Sequence, residues 1–240
     1  MPSHVDNFAR DFQRGGFACP PPVLSDDAVA TLGAQLADLP ETEAVRRRDS
    51  IYGVRNLLDL CPAVSELATS PEIWPFVRAV LSADARAVRA IFFNKTADAN
   101  WSLRWHQDSV IAVAEEHETP GYSAWACKAG VWQVRPPAEV LGGMLALRIH
   151  LDPCGAENGA LRVLPGSHRE GWCSATDWKA RVSEVVCSVD QGAILGICPL
   201  LLHASAKAES PARRRVIHIE YAPAALPGGL RWRWSLQPAS

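Results

Sequence analysis

The sequence predicts a mainly β fold, a sandwich or barrel preceded by a helical lead-in, and two patterns with the chain length carry that reading. From Ala85 onward, short runs rich in β-branched and aliphatic residues recur at 87–93, 143–151, 160–164, 193–197 and 215–221, each bounded by Gly, Pro, Asn or Asp. Ahead of them, residues 25–39 set Val29, Leu32, Leu36 and Leu39 on one helical face. Ser25 stands ready to cap that helix, and Asp26 and Asp27 suit its positive end. The 240 residues are enough for one barrel with additions and cramped for two domains.

A second helical region spans about 62–81 and restarts at Ser70–Pro71, because proline suits the first turn of a helix. Residues 1–82 therefore read as a mostly helical lead-in, 85–221 as the β core, and 1–240 as a single domain. Residues 114–140 show little periodicity and hold Trp125 and Trp132. Such a stretch inside a compact domain reads as a functional cover, with those two rings as candidates to line a substrate pocket. A short helix is expected over 174–184.

Twenty-four Lys and Arg against 26 Asp and Glu leave a net charge of −2, so no overall field draws nucleic acid or an anionic membrane, and a small molecule is the expected partner. The triple arginines at 46–48 and 213–215 are the basic clusters, and such runs ordinarily form solvated faces. Seven cysteines without a CxxC pair fit neither a disulfide framework nor a structural zinc site, which points to a reducing cytoplasm. The N-terminus lacks the apolar core of a signal peptide, and no apolar run approaches a membrane span. Composition does not address oligomeric state.

His106 and Asp108, in TrpHisGlnAsp, stand two residues apart, so a strand would turn both side chains to one face. One more imidazole completes a two-His, one-carboxylate set that leaves positions open on iron(II), and His203 in LeuLeuHisAlaSer offers it. His150 with Asp152 is a competing pair, followed by a turn-like ProCysGlyAlaGluAsnGly. His150 and His218 also fit the alternation of barrel-wall strands, and His4 and His117 look exposed.

In chain order, that HxD pair is followed by AsnGlyAlaLeuArgValLeuProGlySerHis at 158–168, LeuHisAlaSer at 202–205 and ArgArgArgValIleHisIleGluTyr at 213–221. Over about 91–221 this order resembles the phytanoyl-CoA dioxygenase family. The resemblance implies a double-stranded β-helix, a cupin-like jelly roll, with iron(II) bound by His106, Asp108 and His203, and with 2-oxoglutarate and O2 as co-substrates. It implies that Arg214, eleven residues after His203, pairs with the distal carboxylate of 2-oxoglutarate with help from Ser205. His168 of ProGlySerHis is not a ligand in that pattern. Gln107, between two ligands, is expected to support the cofactor site through hydrogen bonds.

The implied activity is hydroxylation of an unactivated C–H bond in a small molecule. The carboxylate at Asp108 argues against related halogenases, in which a small residue there makes room for chloride. A zinc hydrolase or lyase could use the same triad but would leave Arg214 and Ser205 without a partner. A non-catalytic jelly-roll binding module would need no intact triad.

Overall fold

Residues 3–209 and 213–239 are described by the computed structural model. Among them, a seven-stranded antiparallel sheet runs in the spatial order Phe17–Ala18, Ile194–Ile197, Leu145–His150, Arg214–Ala222, Arg86–Lys95, Ile51–Val54, Val45–Arg47. A four-stranded sheet faces it, in the order Val185–Cys187, Leu161–Val163, His203–Ser205, Leu103–His106. Two opposed antiparallel sheets make the jelly roll expected above.

Alternation along the central strands decides what each face does. Ile217, Ile219 and Tyr221, with Leu147 and Ile149 beside them in register, are fully buried on the outer face under the helices. Tyr221 stacks edge-on against Trp74 and donates its hydroxyl to the Ala68 carbonyl at 3.0 Å. Each such aliphatic side chain contributes about 1.5–3 kcal/mol by leaving water. Gly196 has no side chain because Phe8 of the first helix occupies the space where a Cβ would lie. The opposite face carries Arg214, Val216, His218 and Glu220, flanked by Arg148 and His150 on one neighbour and Arg89, Ile91, Phe93 and Lys95 on the other. The inner wall is therefore unusually polar.

The predicted helix forms over Asp26–Ala37, with the Ser25 hydroxyl accepting from the Ala28 amide. The second region splits into Pro62–Ala68 and Trp74–Val80 around the Ser–Pro step. A further helix, His4–Gly15, is closed by a reciprocal Ser3–Asp6 capping box and ended by Gly16 at φ 81°.

The first 82 residues are less helical than expected, since they also supply three strands of the large sheet. Val45–Arg47 and Ile51–Val54 are too short to show a period of two; Ile51–Val54 is held by pairing with the long Arg86–Lys95 strand, and Val45–Arg47 pairs in turn with Ile51–Val54 at the sheet edge.

The expected irregular cover is likewise corrected. Residues 114–140 include a hairpin, Ser123–Lys128 with Val131–Arg135, which pairs with Ile111–Val113 in a third sheet. Its two-residue turn is Ala129–Gly130, both at positive φ, and its register breaks between Ser123 and Ala126, where Ala124 has φ 55°. The helix expected over 174–184 covers Ala175–Lys179 alone.

Candidate active site

His106 closes one strand of the smaller sheet, and His203 opens the strand beside it; the two are cross-strand partners. Their rings lie 4.2 Å apart between centroids. Asp108 lies just past the strand end rather than on it, with its amide donating to the Pro199 carbonyl at 2.9 Å. Its Oδ1 is 4.0 Å from His106 Nε2 and 3.9 Å from His203 Nε2. Among the described residues, these three form the one cluster of His, Cys, Asp or Glu donors close enough to share an ion, all within 4.8 Å of one another.

The outer ring nitrogens fix the tautomers. His106 Nδ1 lies 2.7 Å from the Arg104 carbonyl and His203 Nδ1 lies 2.8 Å from the Leu201 carbonyl, so each Nδ1 carries the hydrogen and each Nε2 presents a lone pair. Burial, aided by His106 and Arg148, pushes His203 down to about 4 against the pull of Asp108, so the ring is neutral at pH 7, as a metal ligand must be. Burial acts to raise the Asp108 carboxyl, but His203, His218, His106 and Arg89 outweigh it and hold it below the usual range. Two imidazoles and one carboxylate, with no fourth His, Cys, Asp or Glu donor among the described residues, fit iron(II) with open positions.

Beyond this triad the barrel interior is cationic. Arg214 is 4% exposed, donates to the Gly159 carbonyl and leaves its Nε without a partner. Lys95, its cross-strand neighbour, is 1% exposed and donates to Ser205 Oγ at 3.2 Å and to the Ala206 carbonyl at 2.6 Å. Burial, then Arg214 and Arg148, push the Lys95 ammonium down to about 7. Both ring nitrogens of buried His150 lack partners, and burial with Arg148 and Arg214 holds that ring well below its usual value. Buried cations without a facing carboxylate are costly unless an anion joins them. A dicarboxylate such as 2-oxoglutarate fits this cradle.

The adjacent arginines divide as alternation requires. Arg213 is exposed, and Arg215 on the outer face makes a forked pair with Asp152 at 2.7 and 2.9 Å. That pair removes the competing HxD, because Asp152 is engaged away from His150.

A second row runs across the inner wall. Arg148 donates to His218 Nδ1 at 3.3 Å, His218 Nε2 faces Glu220 at 3.5 Å, and Glu220 pairs with Arg89 at 3.3 Å. Neither this row nor Lys95 stood out in the sequence as site residues, although their place on one face follows from the strand period once the strands are aligned.

Gln107 turns away from the triad. Its amide donates to the carbonyls of Leu200 at 2.6 Å and Gly171 at 2.7 Å, and its oxygen accepts from the Cys173 amide at 3.0 Å. It ties the HxD segment to the chain that leads into His203. Ser167 of ProGlySerHis does similar work by accepting from the Leu202 amide at 2.8 Å, while His168 packs against Gly16. Trp125 and Trp132 are half-buried and pack against the hydrophobic core.

An open cavity of about 750 Å³ is lined by Arg89, Ile91 and Phe93 of the large sheet and by Tyr52, Trp101 and Leu103, with none of the triad in its lining. Neither Trp125 nor Trp132 lines it.

The family model of phytanoyl-CoA dioxygenase matches residues 12–216. No curated protein matches the chain. Solved structures similar to it include AviO1 from Streptomyces viridochromogenes Tue57, 24% identical with a TM-score of 0.67 over 95% of this chain and 100% of that one. The epimerase SnoN, solved with Fe3+, alpha ketoglutarate and nogalamycin RO, is 19% identical with a TM-score of 0.71 over 100% and 97%. EctD from S. alaskensis, solved with 2-oxoglutarate and 5-hydroxyectoine, is 20% identical with a TM-score of 0.69 over 90% and 75%. At these identities the structures speak for the shared fold, and the family match carries the assignment. The chain belongs to the phytanoyl-CoA dioxygenase family and is a non-haem iron, 2-oxoglutarate-dependent oxygenase.

Proposed function

We propose that His106, Asp108 and His203 hold the iron, that Arg214, Lys95 and Ser205 receive the distal carboxylate of 2-oxoglutarate, and that the enzyme hydroxylates a C–H bond of a small molecule. The observation that carries this reading is the meeting of a three-donor cluster with a buried, acid-free group of cations. A zinc hydrolase would have use for the first and none for the second.

Iron(II), O2 and 2-oxoglutarate together supply the oxidising power, with 2-oxoglutarate leaving as succinate and CO2. The chain's own residues do the positioning. The Arg104 and Leu201 carbonyls aim the two imidazoles, and Gln107 fixes the backbone that carries Asp108. Arg214 offers a planar fork to a carboxylate, while Lys95 and Ser205 add a charge and a hydroxyl on its other side. The inner wall excludes bulk water from that end, since Lys95, Arg148, His150 and Arg214 are all nearly inaccessible.

Anaerobic addition of iron(II) and 2-oxoglutarate tests this reading. The expected result is a visible charge-transfer band of the chelate, followed on admission of O2 by succinate release. A zinc-loaded protein that hydrolyses esters and releases no succinate with iron would favour the hydrolase instead.

A further inference from the structure

The cavity beside Tyr52, Trp101 and Leu103 gathers basic side chains with one carboxylate among them. Arg47, Arg162, Arg181, Arg215, Arg231 and Arg233 each stand within 4.0 Å of a carboxylate. Arg46, Arg48 and Arg55 line the cavity, and none has an ion pair among the described residues. Arg89, paired with Glu220, and Lys207 bring the cations of the lining to five. One carboxylate, Asp98, also stands in the lining, and Arg48 donates to the Asp98 backbone carbonyl.

Register explains how the arginines come to face inward. Arg46 pairs with Gly53, and Gly53 pairs with Phe93, so all three share the inner face. The Arg46 side chain lies over Gly53, its Cδ 3.9 Å from the position a Cβ would occupy. Arg55 continues that face two residues on. Burial lowers the Arg55 guanidinium from its ordinary value, and Arg46 and Arg89 lower it further, so like charges crowd around Arg55. Arg89 links the cavity to the triad, since its charge is felt by both Arg55 and Asp108 and its Nη1 reaches the Val110 carbonyl at 3.5 Å. Between the arginines and the triad the floor is apolar, with Ile91 and Phe93 half-buried and Leu103 42% exposed.

We infer that the hydroxylated substrate is an anion, with a carboxylate or phosphate held by Arg46 and Arg55 and an apolar body laid over Ile91, Phe93 and Leu103 toward the triad. This rests on the oxygenase reading above. The volume suits a small molecule. Arginine pairs also steer anions into such a mouth.

The test uses the full chain loaded anaerobically with iron(II) and saturating 2-oxoglutarate, so that the Arg214 cradle is filled. Calorimetric titrations compare 4-phenylbutanoate, its primary amide and 3-phenylpropyl phosphate. The expected result is at least about five-fold tighter binding of an anion than of the amide. A tighter carboxylate or a tighter phosphate names the headgroup, and both support the proposal. Arg46→Gln with Arg55→Gln removes the preference, and Arg47→Gln, on the other face, keeps it. Arg46 is exposed, so Arg46→Gln alone serves if the double variant misfolds, and it weakens the preference. Equal binding of acid and amide, no saturable binding of either anion up to millimolar concentration, or an unchanged preference in the folded variants overturns the proposal. O2-dependent succinate release, read on the same wild-type sample without a probe, reports the oxygenase separately: its absence overturns the substrate assignment even where anions bind, and its presence without anion preference sinks this inference alone.

Discussion

Lys95 donates to Ser205 across 3.2 Å and so joins the large sheet to the small one where Arg214 also turns inward. The contact places a second cation beside Arg214, in the proposed co-substrate cradle, and burial has pushed that cation down to about 7.

A proton-linked affinity follows. A bound carboxylate favours the ammonium, so the Lys95 pKa is higher in the complex than in the free protein, and affinity is full below about 7 and lost as pH rises above it. The dissociation constant of 2-oxoglutarate should rise by up to about ten-fold per pH unit between about pH 7 and 9. Lys95→Met should bind 2-oxoglutarate more weakly and show a flat profile. Without co-substrate the sign for stability is opposite, because the unfolded lysine holds its proton over a window where the folded one does not, so the apoprotein should gain stability from about 7 upward. Calorimetry and melts across that range check both.

The three neighbouring arginines should separate cleanly. Arg214→Ala removes the bidentate partner of a buried carboxylate and leaves it to Lys95 and Ser205, a loss of about 2–5 kcal/mol in 2-oxoglutarate binding, with iron binding retained. Arg215→Ala breaks the forked pair with Asp152, both partners being largely buried, and should cost about 1–3 kcal/mol of stability with little effect on 2-oxoglutarate. Arg213→Ala should change neither. Binding titrations and denaturant unfolding on the three variants distinguish these outcomes.

Trp125 and Trp132 should behave as packing residues of the hairpin. Replacing Trp132 with Ala should cost about 2–3 kcal/mol, below the full value for a core ring because the side chain is half-buried. The ratio of substrate product to succinate should hold. Uncoupled 2-oxoglutarate turnover at an unchanged melting temperature would instead make the hairpin a substrate cover.

The site was legible in sequence where chemistry and spacing coincide. His106, Asp108 and His203 stand out because few other residue sets offer two imidazoles and a carboxylate, while Arg214 was singled out by the family resemblance, which puts an arginine eleven residues after His203. Lys95 did not, because a lysine at the end of IlePhePheAsnLys reads as a strand leaving for solvent, and only its pairing with Arg214 turns it inward. Arg46 was hidden in the same way: a triple arginine looks like a solvated face until Gly53 aligns it with Phe93. The hairpin was missed because the bulge at Ala124 and Trp125 interrupts its alternation and Ala129–Gly130 is a weak turn signal.

Iron(II) titration of the His106→Ala, Asp108→Ala and His203→Ala variants under anaerobic conditions tests the metal assignment most directly. Each should lose more than about 100-fold in iron affinity and all succinate release while keeping the wild-type circular dichroism spectrum, since the site contributes one donor from each residue and the fold rests on the sheets. Wild-type iron affinity in any folded member of the set would contradict the assignment.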